Sequence, residues 1–395
     1  MSRNSSISPL LIILFSGLIC FYYIIPRGWA YLFEAFILLL AIKEKSGKFD
    51  PVPVIWYSLF SMYIIIDAVF RDHQMIYVSS CLNVLVFILI LSLLIKSEEQ
   101  SNLFIKASAF FGVAFSLYIL VKFRVFIGIG RLGMELPGTR IDSAITLGYI
   151  FLYFMCLQIL SLVNFQLSIV TKIVLVLGLS LSMYLTLMTG TRKALYIPIL
   201  YLFLVIILKN RLYFGRLLFY ISTLSIITVV SFNFMLENEI ISSDSLTRME
   251  GSLAIISDKY AMDDSTIERE LLAYKATNIF YQHPLLGNGT DQVLKELTKH
   301  PHNNFLSILS MGGLVMFVFY YWIYFVCLFS KTVNRNKYLP LFMIVVFVLP
   351  LSDLGTTSFN IIYFNILIAL FVLTAKQIEL RKKLECCDSL SSESF

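Results

Sequence analysis

The sequence has little charge. Of its 395 residues only 14% are Asp, Glu, Lys or Arg, against 58% hydrophobic and a mean hydropathy of +0.82. Soluble domains carry about a quarter charged residues and about half apolar ones. A water-soluble fold could not hide this much apolar surface, and that class is excluded. The chain is also short of the residues that hold metals or build covalent frameworks: it has four histidines and six cysteines, with no Cys-x-x-Cys pair and no His-x-x-x-His spacing. A dedicated metal site therefore has no support. Cys20, Cys81, Cys156 and Cys327 fall inside apolar blocks, and Cys386 with Cys387 sits in the charged tail, so they read as small apolar fillers and not as a disulfide scaffold. Nor is there an internal repeat between the halves, which disfavours a transporter of the inverted-repeat kind. The first apolar block follows a short tail carrying Arg3 and lacks an A-x-A cleavage site, so it reads as a retained helix.

What the sequence does have is long apolar runs. They come in blocks of roughly 18–22 residues, the length an α-helix needs to cross hydrocarbon. Twelve candidate spans follow: 8–25, 28–42, 52–70, 75–95, 102–123, 143–164, 167–188, 194–208, 217–235, 304–330, 338–352 and 357–375. The expected fold is all-α, a multi-pass membrane protein of about 12 helices. Its segments are helices 1–9 over 1–235, a hydrophilic loop over 236–303, helices 10–12 over 304–375 and a tail over 376–395.

With the N-terminus placed in the cytoplasm, alternate loops collect the cations. The inside loops hold Lys43, Lys45 and Lys48; Lys96; Lys209, Arg211 and Arg216; Lys331, Arg335 and Lys337; and Lys376, Arg381, Lys382 and Lys383. That is the positive-inside pattern, and it puts both termini in the cytoplasm. The formal charge of +6 comes mainly from these loops and serves topology, so no nucleic-acid partner is expected. The segment 124–142, the turn at 189–193, the loop 236–303 and the turn around Asp353 all fall outside. The unusual polar sequence is gathered on one face, and the protein is expected to work there.

The long loop carries helix signals. Ser265-Thr266-Ile267-Glu268 is a capping box that should start a helix, and His283-Pro284 with Gly287 and Gly289 should end it. A second short helix is expected from Asp291 to Lys299, stopped by Pro301. The loop thus reads as a helical cap over the membrane face.

Three of the four histidines, His283, His300 and His302, stand within this cap. Asn303 is a natural N-cap for the 304–330 helix, and the positive end of that helix disfavours a protonated His302, leaving it able to accept a proton. The plain alternative is a polar loop residue at headgroup depth, and that reading weighs more for His300 and most for His283. Arg140, Arg192 and Arg269 lie on the outer face, where the positive-inside pattern disfavours them. A guanidinium fork suits phosphate oxygens; the alternative is snorkelling to headgroups, which weighs most for Arg140, Arg131 and Arg124. The glycines of Leu286-Gly287-Asn288-Gly289 could cradle phosphate but read more simply as a turn. Glu34 and Asp67 read as polar contacts within the helix bundle near the membrane edge.

The turn Thr189-Gly190-Thr191-Arg192-Lys193-Ala194-Leu195, opening an apolar helix, resembles the T/S-G-S/T-R-x-A-L segment of the bacterial O-antigen polymerase and O-antigen ligase superfamily. So does the stretch from Arg269 through His283-Pro284-Leu285-Leu286-Gly287-Asn288-Gly289 to His302-Asn303-Asn304-Phe305 and Gly312-Gly313. The resemblance implies an inner-membrane, GT-C-like, metal-independent glycosyltransferase without a cofactor. Its substrates would be undecaprenyl-diphosphate-linked glycans, donor and acceptor, at the periplasmic face, with membrane lipid around it and a chain-length regulator protein as a further partner.

On that pattern Arg192 and Arg269 engage the diphosphate and His302 assists the acceptor hydroxyl. Arg140, His300 and Tyr274 are the expected substrate-binding residues. His300 and His302 flank Pro301, so either can hold the motif's histidine place. The 189–195 segment and the aromatic-rich helices favour the polymerase, which extends lipid-linked glycan in lipopolysaccharide biosynthesis. The ligase, which hands glycan to lipid A-core, is the alternative. A lipid-linked oligosaccharide flippase is the alternative of another class, though it has little need of a large external cap.

Overall fold

The computed structural model describes residues 9–43, 49–72, 76–127, 132–133, 136–141, 143–210, 264–299, 301–330, 338–354 and 356–392. The expected span 217–235 and the first part of the 236–303 loop lie outside them. The described residues are helical, with no strand among them. In chain order the helices are α1 (Pro9–Phe21), α2 (Arg27–Lys43), α3 (Val52–Asp67), α4 (Ile76–Leu94), α5 (Glu98–Lys122), α6 (Ala144–Asn164), α7 (Ile169–Thr189) and α8 (Arg192–Asn210). They continue as α9 (Asp264–Gln282), α10 (Thr290–Leu297), α11 (Asn304–Leu328), α12 (Leu339–Asp353) and α13 (Ile362–Ser392). Helix α3 runs on through a π-turn over Ala68–Asp72, and α12 contains another over Ile344–Val348.

Among the described residues seven helices are long and apolar enough to cross a membrane: Val52–Arg71, Tyr77–Leu94, Glu98–Lys122, Ala144–Asn164, Ile169–Thr189, Asn304–Leu328 and Ile362–Leu380. Pro9–Phe21 and Leu339–Asp353 are shorter apolar helices. The chain is a multi-pass membrane protein. Every expected span within the described residues is helical, and the largest departure is at the end, where α13 runs far past the span expected to close at 375.

Helix ends follow local chemistry. Ser143 and Ser168 cap α6 and α7 by accepting from Thr146 N (3.1 Å) and Thr171 N (3.2 Å), each such cap contributing about 1 kcal/mol. Glu98 and Glu99 open α5 and Lys122 closes it, matching the helix dipole. Gly190 ends α7 in the left-handed region at φ 63°, where a residue without Cβ fits best.

The described helices form two units. One comprises 1–19, 31–104 and 264–395, the other 20–30 and 105–263. In the first, Phe15 of α1 stacks on Phe87 at 5.8 Å, and Trp56 Nε1 donates to Tyr320 O at 2.8 Å while Tyr57 Oη donates to Phe359 O at 2.5 Å. In the second, α6 is the buried centre. Gly112 and Gly178 are contact points where an added Cβ would run into Phe154 and Val113, the small-residue packing by which helices approach in lipid. Cys20, Cys81, Cys156 and Cys327 are all buried, as expected of apolar fillers. Val170, Ile173 and Leu177 on α7 and Phe36 and Leu39 on α2 stay exposed, apolar faces that suit lipid as solvent.

Candidate active site

The site is built on a broken helix. At Gly313 the backbone of α11 leaves the helical region (φ 61°, ψ −160°). A continuous helix would pair Leu314 N with Ser310 O and Val315 N with Met311 O. Here the loop after α9 takes all four groups: Leu314 N donates to Pro284 O (2.9 Å) and Val315 N to Leu285 O (3.2 Å), while Asn288 N donates to Ser310 O (3.0 Å) and Gly289 N to Met311 O (2.9 Å). Unpaired backbone groups at membrane depth cost several kcal/mol each, so the break and the loop require each other. The glycines let them meet. A Cβ on Gly287 would run into the backbone of Met311 and Gly312, and one on Gly313 into Leu285. The Leu286-Gly287-Asn288-Gly289 motif thus closes the expected turn, with Gly287 N donating to His283 O at 2.9 Å, and also docks on Gly312-Gly313.

Helix α9 begins at Asp264, one residue before the expected cap. Glu268, which a capping box would turn back on the helix start, takes the Lys299 ammonium at 2.5 Å. The second short helix runs Thr290–Leu297, and it stops before Pro301 because Thr298 turns left-handed (φ 62°). These turns bring the segment from Lys299 to His302 to the second turn of α9, which carries Glu268 and Arg269.

His302 is half-buried and itself left-handed, at φ 52°, a conformation costing a non-glycine residue about 1–2 kcal/mol. Asn303 then caps α11 as expected, accepting from Leu306 N at 3.2 Å. Burial lowers the His302 pKa below 6.5, the Arg269 and Lys299 charges lower it further, and Glu268 opposes them. The surroundings thus disfavour the charged imidazole, and burial, not the helix end, is the largest cause. The Lys299 contact in turn pulls the Glu268 carboxyl below its ordinary value.

The helix start next to His302 is locked from below. Asn304 is fully buried; its Oδ1 accepts from Ser358 N (2.9 Å) and Phe359 N (3.2 Å), and its Nδ2 donates to Tyr321 Oη (2.9 Å) and Asp353 Oδ2 (3.3 Å). Asp353 also accepts from Tyr321 Oη (2.8 Å) and from Ser358 Oγ. Phe305 stacks on Tyr321 at 4.8 Å. The two rings, with Phe317, Phe325, Val346 and Pro350, wall an almost wholly apolar cavity of about 230 Å³ that runs down α11 from beneath the His302 turn.

In the other unit Arg192 is the first residue of α8. Its backbone is fixed by the preceding threonines: Thr191 N donates to Thr189 Oγ1 (3.2 Å) and Thr191 Oγ1 to Ala144 O (3.1 Å). Arg140 is held by aromatic and backbone contacts. Its guanidinium lies 4.1 Å from the Tyr22 ring centroid, Nη2 donates to Tyr22 O, and its own N–H donates to Tyr23 O at 2.7 Å. It ties its loop to the turn after α1.

Residues 173–321 match the family model described as O-antigen ligase. That match covers little more than a third of the chain and supports the O-antigen polymerase and ligase superfamily. Comparison with curated proteins gives no match.

The superfamily segment contains Arg192, Arg269, Tyr274, His300 and His302, and leaves out Arg140. Of these, Arg269 and His302 are near enough for the arginine's charge to act on the imidazole. Tyr274 stands 66% exposed on α9 and His283 is also exposed, while His300 lies outside the described residues. Sequence reasoning passed over Asn304, Asp353, Lys299 and Arg71. Asp353 and Arg71 carried a signal: each is a charged residue at the end of an apolar run, where an unpartnered charge is costly.

Proposed function

We propose that the protein is an O-antigen polymerase, a metal-independent glycosyltransferase joining undecaprenyl-diphosphate-linked repeat units at the periplasmic face of the inner membrane, with both termini in the cytoplasm. The observation that carries this reading is the half-buried His302 at the capped start of α11, next to the Lys299–Glu268 ion pair and within reach of the Arg269 charge, inside the segment matched by the family model. In the proposed reaction the acceptor hydroxyl gives its proton to His302. Its oxygen bonds to the anomeric carbon of the donor sugar, and the bond from that carbon to the diphosphate breaks. The leaving diphosphate keeps the electron pair, and Arg269 meets the growing charge with a fork of donors. Arg192 is proposed for the same anionic chemistry, and the apolar cavity below Phe305 suits an isoprenoid chain. Arg140, His300 and Tyr274 remain proposed sugar contacts, with Arg140 the weakest because its guanidinium is already engaged. A chain-length regulator is the proposed protein partner.

The description of the matched family favours one second reading, transfer of glycan to lipid A-core. Deletion in the native strain separates the two. Lipopolysaccharide with a single repeat unit is the expected result; a bare core with accumulated lipid-linked polymer would assign the ligase.

A further inference from the structure

Helix α10 has no cap of its own. Its N-cap position is Gly289, at φ 93° and without a side chain to accept from the first turn. The missing acceptor comes from far along the chain. Asp67, the last residue of α3 and buried, accepts from Thr290 N at 2.9 Å through Oδ2. A carboxylate at a helix N-terminus also meets the positive end of the dipole. One turn on, across the π-turn at Ala68–Asp72, Arg71 Nη1 lies 3.4 Å from Asp67 Oδ1 and donates to Leu286 O (2.8 Å) and Gly287 O (3.2 Å). Tyr63, one turn before Asp67, donates to Leu286 O at 2.8 Å. Three polar side chains at one end of a membrane helix thus grip both the glycine loop and the start of α10. Such π-turns gather at functional sites because they re-aim side chains at little cost.

We infer that Asp67 and Arg71 are positioning residues which, through α10, hold the Lys299–His302 segment against Arg269. Loop 284–289 is fixed on one side by the broken helix and on the other by Tyr63, Asp67 and Arg71. Helix α10 leaves that loop and delivers the segment at its far end. Without the staple, α10 loses its only described N-terminal cap and Leu286 O and Gly287 O lose their charged donor. The segment then relaxes towards water, and the groups on α9 that face it, Arg269 and Glu268, separate from His302 and Lys299. The effect on catalysis rests on the proposed function; the effect on His302 does not.

The test uses the full chain in lipid nanodiscs with isotope-labelled histidine, titrated by NMR, the His302 signal being assigned by its loss in His302→Gln. Asp67→Ala and Arg71→Ala are expected to move the His302 titration upward towards 6.5, and Asp67→Asn, which keeps an acceptor oxygen, to move it less. An unchanged titration in both alanine variants overturns the inference and leaves the proposed function standing. Where the alanine variants fail to reach the membrane, Arg71→Lys carries the test by the same criterion. Polymer formation measured in parallel is expected to fall about 10- to 100-fold, the usual scale for misplacing a reacting group by an ångström. A shifted titration with normal polymer keeps the staple and removes His302 as the base.

Discussion

At the scale of single residues, the proposed reaction turns on a histidine whose surroundings disfavour its charged form. Losing a general base typically costs about 10²–10⁴ in rate, so His302→Ala is expected to leave little long-chain product at normal membrane levels, with His283→Ala nearly silent and His300→Ala intermediate. Gel analysis of chain length checks all three, and normal product from His302→Ala would remove histidine base catalysis there. Because the His302 pKa lies below 6.5, the acid limb of the rate profile should also lie below 6.5. Arg269 is one of the lowering charges, so Arg269→Gln should move that limb upward while reducing the rate, and Arg269→Lys should restore the position of the limb better than the rate. His302 and Asn303 were legible in the sequence because a helix start at 304 announces its own cap. Arg269 was legible only through the superfamily pattern, since nothing in local periodicity brings α9 back over residues 299–302. Asp67 is the polar contact within the bundle that the sequence led one to expect, but its partner was not legible, because Thr290 N lies far along the chain and is a backbone group without a sequence signature.

At the scale of elements, periodicity and length located every described helix, and turn chemistry located α9 and α10. What the sequence hid was the break in α11. Gly312-Gly313 inside an apolar run looks like a packing motif, and the fact that Pro284–Gly289 replaces the lost helical bonds depends on a contact between segments far apart in sequence. That pairing has a measurable consequence. Gly287→Ala and Gly313→Ala each force a Cβ against backbone at a positive φ, for which about 1–3 kcal/mol of overpacking cost is typical. Both variants should unfold at lower temperature in detergent than the parent chain. Gly138→Ala, also at positive φ but in open space, should be lowered less. Equal losses at all three positions would mean that backbone strain alone, and not the docked loop, explains the glycines.

At the scale of the whole molecule, the sequence makes one claim that reaches beyond the helices: the alternation of lysine and arginine between loops. It predicts that a reporter fused at residue 255 is periplasmic and one fused at residue 385 cytoplasmic. A cytoplasmic signal from the fusion at 255 would remove the proposed periplasmic chemistry along with the topology. The multi-pass class itself was legible from composition, since no arrangement of 58% hydrophobic residues in so few charges leaves a wettable surface. The grouping of helices into two units was not, because three of the four boundaries fall within α1, α2 and α5, where no linker marks them.

The left-handed backbone of His302 sets stability against selection. Glycine adopts that conformation without the penalty a side chain meets, so His302→Gly should raise the thermal midpoint, with a gain of about 1 kcal/mol by the usual αL cost, while abolishing polymer. Asn, the other residue tolerant of this region, should keep the parent's midpoint and be just as inactive. An evolving population drifting only under demands for folding would lose this histidine early. Its persistence, once homologous chains are aligned, would measure how strongly the proton acceptor is required, independently of any assay of the reaction.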